Sequence, residues 1–393
     1  MAGQKATPAL VVGWLLFAML CLFYHYNYVV LNYYSAMQTA ARYRPVLAAN
    51  VTKHDNNTLP RSPSDDTNRS RLILDWTGYF GDDLYWTWPT ERSKCGHPER
   101  FRCAFTRDRT AAGRADAVLF HERDLDWRDV PAVRHPRQRY VFYLFESPHN
   151  TGSLTRLRAF GANYFNWTMS YRLDSDFPVP YITFRKRVNN AALDLDNALS
   201  SKTKTVAWFV SNCQTASGRE AYVQALRRHI HIDIYGACGN LSCPRSNETD
   251  CDELLKRAYK FYLAFENSVC RDYVTEKLAR MDSLYVVPIV LDRRTYAPFH
   301  LPPQSYIAAS DFRTPGDLAR YLLYLDRNYT AYKEYHQWRL SYESMPPSLR
   351  WCELCRRLHD PAAPSKVYAD LATWWADGAC QADYAYKLLG NPP

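Results

Sequence analysis

Chemistry-bearing side chains crowd one short stretch of this chain. Tyr262-Leu263-Ala264-Phe265-Glu266-Asn267-Ser268 is followed at once by Cys270-Arg271-Asp272-Tyr273-Val274-Thr275-Glu276-Lys277-Leu278. Phe261–Phe265 reads as a strand and Asp272–Met281 as a helix, so the polar residues fall where a strand ends and a helix begins. In open α/β sheets ligands bind in that crevice, and a helix N-terminus favours anions. On the expected helix Tyr273 and Lys277 are four residues apart and share a face, so a phenol and an ammonium can address one ligand. Arg219, at the start of an expected helix Gly218–Ile230 after Ser211-Asn212-Cys213, supplies a second cation from a neighbouring junction. Two cations so placed suit a diphosphate, although each alone also fits a solvated surface charge.

Other candidates are weaker by residue type alone. Glu146 follows the apolar run Tyr140–Phe145, which places it at a strand's C-terminal edge. It equally fits a carboxylate accepting backbone N–H bonds in a Ser147-Pro148 turn. His149 directly after it is a lone loop histidine. Asp174-Ser175-Asp176 has the Asp-x-Asp form that holds a divalent cation in one class of sugar transferases. Asp124-Leu125-Asp126 and Asp194-Leu195-Asp196 repeat that form, so the pattern carries little weight. We therefore expect no essential metal, and a divalent cation only as a stimulant.

The elements that must position these residues fall into two halves. In the first, strands are expected at Arg71–Trp76, Phe101–Phe105, Ala115–His121, Arg139–Phe145 and Phe165–Tyr171, separated by polar, Gly- or Pro-containing stretches. Residues 189–204 turn small and polar and read as a linker. In the second half Thr205–Ser211, Ile232–Tyr235, Phe261–Phe265 and Tyr285–Val290 read as strands alternating with helices. Thr314-Pro315-Gly316-Asp317 marks a further helix start, with Thr as N-cap, Pro in the first turn and an acidic residue close behind. Repeated strand–helix–strand units point to doubly wound α/β domains with a cleft between them.

Composition narrows partner and compartment. The net charge is +9 without a Lys/Arg-rich run or a nucleic-acid-binding module, which favours a nucleotide over a polynucleotide. Residues 9–31 are apolar, with no charge between Lys5 and Arg42 except His25. That length, about 20 residues, suits a bilayer-spanning anchor and exceeds the roughly 7–15 residues of a cleaved signal's apolar core. Asn-x-Ser/Thr sequons at Asn50, Asn56, Asn68, Asn166, Asn240, Asn247 and Asn328 all follow it, as expected of a lumenal chain. Cys21 lies in the apolar segment, and the other ten cysteines are an even number that reads as disulfides in an oxidising compartment. Zinc is the rival for Cys352-Glu-Leu-Cys355, but no second well-spaced pair accompanies it. Residues 32–70, rich in Asn, Asp, Ser, Thr, Arg and Pro, read as a flexible stem.

The stretch 261–278 resembles the signature of the α1,3/4-fucosyltransferases (GT10-type). The resemblance continues through Val287-Pro288-Ile289-Val290-Leu291 and Pro302-Pro303-Gln304-Ser305-Tyr306-Ile307. Upstream it includes Ile73-Leu74-Asp75-Trp76-Thr77, Phe145-Glu146-Ser147-Pro148 and Asn166–Asp176, and in all it covers roughly residues 71–375. It implies a GT-B architecture, with two Rossmann-like domains facing across a cleft, and an inverting transfer of L-fucose from GDP-fucose to a GlcNAc hydroxyl of a glycan. Glu146 would be the general base. Arg219 and Lys277 would contact the diphosphate and Glu276 the ribose, while Tyr262, Asn267 and Tyr273 would line the donor pocket. The implied organisation is a cytoplasmic tail at 1–8, anchor at 9–31 and stem at 32–70. Then follow an acceptor-side domain at 71–190, a linker at 191–204, a donor domain at 205–375 and a tail at 376–393. Such a protein is a single-pass type II Golgi membrane enzyme with a lumenal head. The segment Val133–Arg139 departs from the family's acceptor-discriminating region, which leaves core GlcNAc and terminal N-acetyllactosamine both open. The alternatives are a GT-B transferase of another nucleotide sugar and a non-catalytic glycan-binding membrane protein of the same fold.

Overall fold

The computed structural model describes residues 69–82, 101–188, 193–243, 248–345 and 347–390. Strands β1 (Arg71–Asp75), β2 (Cys103–Thr106), β3 (Ala117–His121), β4 (Arg139–Leu144), β5 (Trp167–Ser170) and β6 (Phe177–Pro178) form one sheet in the order β2-β1-β3-β4-β5-β6. Every neighbouring pair is parallel. Five of these strands lie where apolar runs predict them; the two-residue β6 is too short to leave such a run. All of β3 and all but the first residue of β4 are buried, as strands covered on both faces must be.

Between the two large sheets lies β7 (Thr183–Lys186), an edge strand that pairs antiparallel with β14 (Tyr342–Met345). The second sheet contains β8 (Lys204–Phe209), β9 (Ile232–Tyr235), β10 (Tyr259–Leu263), β12 (Val287–Val290) and β13 (Ile307–Ala308), in the order β13-β12-β10-β8-β9, again all parallel. In both sheets the chain winds first to one side and then to the other. The reversals fall between β1 and β3 and between β8 and β10, and the carboxyl ends of those strands open the crevices where doubly wound sheets bind ligands. A two-residue ribbon, β11 (Val269–Cys270) with β15 (Cys380–Gln381), completes the strands.

The chain's last third does not stay with the second sheet. Helix Trp351–His359 buries Trp351, Leu354 and Cys355 against the first sheet, and helix Leu371–Ala376 buries Leu371, Ala372 and Trp375 on its other face. A Cys103–Cys355 disulfide spans 252 residues to fasten that return. Helix Tyr384–Leu388 then joins the second sheet's core through Tyr384 and Ala385. Within the stretch read as a linker, Leu195–Ser200 is a helix capped by Asp194, with Leu195 and Leu199 buried.

Further disulfides join Cys213–Cys238, Cys243–Cys251 and Cys270–Cys380. Cys352 is disulfide-bonded as well, so both cysteines of the Cys-x-x-Cys pair are committed to sulfur and not to zinc. The sequons divide. Asn50, Asn56, Asn68 and Asn247 lie outside the described residues, as do the expected anchor and nearly all of the stem. Among the described residues no helix is long and apolar enough to cross a membrane. Asn240 is exposed. Asn328 is half-buried and caps helix Tyr329–Gln337, accepting from Ala331 N at 3.1 Å. Asn166 is only 4% exposed, and its amide is engaged through both oxygen and nitrogen. Its Oδ1 accepts from Tyr140 N (2.8 Å) and from Arg134, and its Nδ2 donates to Lys366 O (2.9 Å).

Candidate active site

β10 occupies the middle of the second sheet and delivers Phe265, Glu266, Asn267 and Ser268 to its carboxyl edge, beside the end of β8. The next segment is not the helix that spacing predicts over Asp272–Met281. Asp272 takes a left-handed conformation (φ 59°) and accepts from Leu173 N at 3.1 Å, while Tyr273 N donates back to Cys270 O at 3.1 Å. The helix starts only at Glu276, behind a Thr275 N-cap, and lasts four residues. A contact from a strand end nearly a hundred residues upstream thus overrides the local helical pattern.

Tyr273 and Lys277 consequently diverge and share no helical face. Lys277 Nζ sits 3.0 Å from Glu266 Oε2, 3.0 Å from Glu276 Oε1 and 2.9 Å from Thr275 Oγ1. Burial opposes its charge, but the carboxylates of Glu266 and Glu276 outweigh that and hold its ammonium above the ordinary lysine value. Glu266 is 4% exposed and also accepts from Thr275 N and Thr275 Oγ1, each at 2.8 Å. Burial raises its carboxyl despite the facing ammonium. Burial would raise Glu276 too, but Lys277 prevails and lowers it.

Arg219 stands at the reversal point itself. Its Nη1 donates to Phe265 O at the end of β10 (2.6 Å), its Nη2 to Asn212 O after β8 (3.1 Å) and its Nε to Glu220 (3.3 Å). One buried guanidinium therefore holds the two strand ends in register. Asn267 Oδ1 points into the same region, buried and without a partner among the described residues. Tyr262 is buried in β10 itself, packed edge-on against Phe209.

Glu146 comes from the other sheet. β4 lies between β3 and β5, and Glu146 stands two residues beyond its carboxyl end, half-exposed. Its partners among the described residues are side chains, not the backbone N–H groups of the Ser-Pro turn. Tyr273 OH donates to Oε2 at 3.1 Å and Asn150 Nδ2 at 3.3 Å. Next to it Ser147 Oγ donates to Ser268 Oγ at 2.8 Å, both side chains buried. Tyr79, Tyr171, Tyr181 and Tyr273 all lie within reach of the Glu146 charge. Burial pushes each of these phenols upward and carboxylates including Glu146 add to it, so they keep their protons; Tyr273 donates to Glu146 and Tyr181 to Phe145 O. The first sheet's carboxylate and the second sheet's cation-bearing loop thus meet through Tyr273.

The competing motifs are occupied. Asp174 pairs with Arg172 (2.8 Å) and Arg271 (3.3 Å), and Asp176 with Lys366 (2.9 Å) and Arg357 (3.4 Å). Asp124 accepts from His121 and from Phe80 N, Asp126 pairs with Arg128, and Asp196 pairs with Lys333. His149 is exposed beside the Cys270–Cys380 bridge.

Two family models divide the chain as the sheets do: "Fucosyltransferase, N-terminal" matches residues 68–182, and "Glycosyltransferase family 10 (fucosyltransferase) C-term" matches residues 199–374. The chain belongs to the family 10 fucosyltransferases. It is therefore a glycosyltransferase. It is similar to alpha-(1,3)-fucosyltransferase C of Drosophila melanogaster, 37% identical over 336 residues covering 78% of each chain. Alpha-(1,3)-fucosyltransferase fut-1 of Caenorhabditis elegans is 39% identical over 282 residues, 70% of this chain and 60% of the relative. The cattle 3-galactosyl-N-acetylglucosaminide 4-alpha-L-fucosyltransferase FUT3 is 39% identical over 307 residues, 74% of this chain and 81% of the relative. Within this fucosyltransferase, three side chains of the site escape sequence reasoning. Glu266 and Thr275 frame Lys277, and Tyr181 OH donates to Phe145 O at 2.8 Å beside Glu146. Glu266 and Thr275 stand inside the quoted motif, so only their roles were hidden; nothing local signals Tyr181.

Proposed function

We propose that this family 10 enzyme is an inverting α1,3-fucosyltransferase of GT-B architecture, taking L-fucose from GDP-β-L-fucose to a GlcNAc hydroxyl of a glycoprotein or glycolipid glycan. The observation that carries the reading is the Tyr273–Glu146 hydrogen bond, which sets a carboxylate on one sheet's edge against the cation-bearing loop of the other. In this reading Glu146 Oε2 takes the acceptor hydroxyl proton as the oxygen attacks the anomeric carbon from the face opposite GDP. Bond breaking leads bond making, as in other glycosyl transfers, so negative charge grows on the departing diphosphate. Lys277, pre-charged by Glu266 and Glu276, and the N–H donors left on Arg219 stabilise that charge without a metal. Glu276 takes the ribose, while Asn267, with its free Oδ1, and Tyr262 and Tyr273 line the donor pocket. Residues 71–190 form the acceptor side and 205–375 supply the donor side, with 351–375 folding back onto the acceptor side. The apolar segment 9–31 anchors the head in the Golgi lumen as a type II membrane protein.

The full-length chain, purified in detergent, tests this directly. GDP-fucose, GDP-mannose and UDP-galactose are offered with N-acetyllactosamine and N-glycan acceptors. Transfer from GDP-fucose alone is expected. Transfer from UDP-galactose, or GDP binding without any turnover on either acceptor class, overturns the reading.

A further inference from the structure

The loop that carries Tyr273 to Glu146 has few fastenings of its own. Its backbone leaves β10, passes through the two residues of β11 and turns sharply at Asp272. Beside the Leu173–Asp272 and Ser147–Ser268 bonds and the Arg271–Asp174 pair from the first half, three ties hold it from the C-terminal segment. Cys270 is bridged to Cys380, 110 residues away. Arg271 N donates to Ala379 O at 2.7 Å, and Val269 and Cys270 pair with Gln381 and Cys380. The fastened position also closes the turn that Leu173 and Asp272 shape, because Cys270 O accepts Tyr273 N at 3.1 Å. The phenol's reach to Glu146 therefore depends on where the bridge places Cys270.

The partner strand is itself well anchored. Asp383 N donates to Ala216 O (2.8 Å) and Ala385 N to Ser217 O (2.9 Å), while Ser217 N donates to Asn267 O (3.1 Å). Gly218 takes φ 67°, and a Cβ there would stand 2.8 Å from the Tyr386 ring. Segment 379–386 thus grips both loops at the β8/β10 reversal. The Lys277 cluster is held by a different set of contacts, Thr275 and the two glutamates, none of which passes through the bridge.

We propose that the Cys270–Cys380 disulfide is a positioning element for the reaction: it fixes the Tyr273 turn so that the phenol orients the Glu146 carboxylate, while donor binding at Lys277 stands apart from it. This inference rests on the reading of Glu146 as the general base. The test is a cycle of variants of the full-length chain in detergent. Cys270→Ser with Cys380→Ser opens the bridge, Tyr273→Phe removes the hydroxyl, and the triple variant combines them. Opening the bridge is expected to lower kcat about 10- to 100-fold, with KM for GDP-fucose changed less than about 3-fold, as a misplaced catalytic group does. In the Tyr273→Phe background the same opening should cost little further, because the two changes act on one contact. An unchanged kcat, a loss confined to donor KM, or full additivity with Tyr273→Phe overturns the proposal.

If the double serine variant does not fold, the folded wild-type chain is treated briefly with dithiothreitol, and mass labelling locates the opened bridge. Two electrons and two protons pass from the reagent's thiols to Cys270 and Cys380 as it closes to its cyclic disulfide. A kcat lowered about 10- to 100-fold in that species supports the proposal, and an unchanged kcat overturns it. Glu146→Gln separates the two ideas. Full activity in that variant removes the base reading, whereas a dead Glu146→Gln beside a fully active bridge-opened enzyme removes only this one.

Discussion

Replacing Lys277 with alanine should destabilise the protein before any donor is added, and the loss should depend on pH. Two unit charges 3.0 Å apart attract by about 5 kcal/mol at an effective dielectric of about 20, which Lys277 and Glu266 supply here. Removing one partner of such a buried pair costs about 3–5 kcal/mol. Glu266 keeps its Thr275 bonds and Lys277 is 22% exposed, so the expected loss near neutral pH is the smaller figure of about 2–3 kcal/mol. Glu276, 55% exposed, adds under about 1 kcal/mol. Burial already raises Glu266, and without the ammonium its folded value moves further above the unfolded one. Between those two values the folded state holds a proton that the unfolded state has released. Stability is then greatest below the unfolded value and declines as pH rises through the folded one. Urea unfolding followed by tryptophan fluorescence, at one acidic and one neutral pH, should show the smaller penalty at the acidic one. Adding Glu266→Gln removes the stranded charge and should return about 1–2 kcal/mol without restoring GDP affinity. A penalty equal at both pH values, or a double variant no more stable than Lys277→Ala, would refute the charge-compensation argument.

Other outcomes can be checked more simply. Glu146→Gln should bind GDP as the wild type does and lose turnover by about 10²- to 10⁴-fold; wild-type kcat would remove Glu146 from the base role. Asn166→Ala should leave the glycan mass unchanged on endoglycosidase treatment and cost about 2 kcal/mol in unfolding, since it strands Tyr140 N and Lys366 O. A mass loss of one glycan would contradict its burial. Transfer should persist in excess chelator, because both carboxylates of the Asp174-Ser175-Asp176 motif are already paired with cations. Activity abolished by chelation and restored by a divalent ion would reverse that expectation.

What the sequence makes legible here is what local pattern controls. Ile232–Tyr235 is a strand with the boundaries its apolar run predicts, and the Thr314 cap starts helix Pro315–Arg327 where expected. Glu146 lands at a strand edge because the run before it is apolar and central. Readings fail where a distant residue decides. Asp272 is turned left-handed by contacts that include Leu173, so a helical spacing becomes a turn. Nor does the local sequence of Asn166 show that Lys366 O, two hundred residues on, accepts one of its amide hydrogens. Glu266 looks like one more motif residue until burial makes it the counter-ion that charges Lys277. Nor does any local signal tell residues 351–375 to return to the first sheet.

That return fixes an order of assembly on the ribosome. All the strands of the second sheet lie between residues 204 and 308, so its framework can close while the chain is still being made. The first sheet emerges earlier but waits, with part of each face open, for Trp351 and Trp375, and for a sulfur 252 residues from Cys103. The half synthesised first thus stays open for most of synthesis. It must be shielded from aggregation in the interval, and a chain cut short before residue 351 loses the cover of its own first sheet.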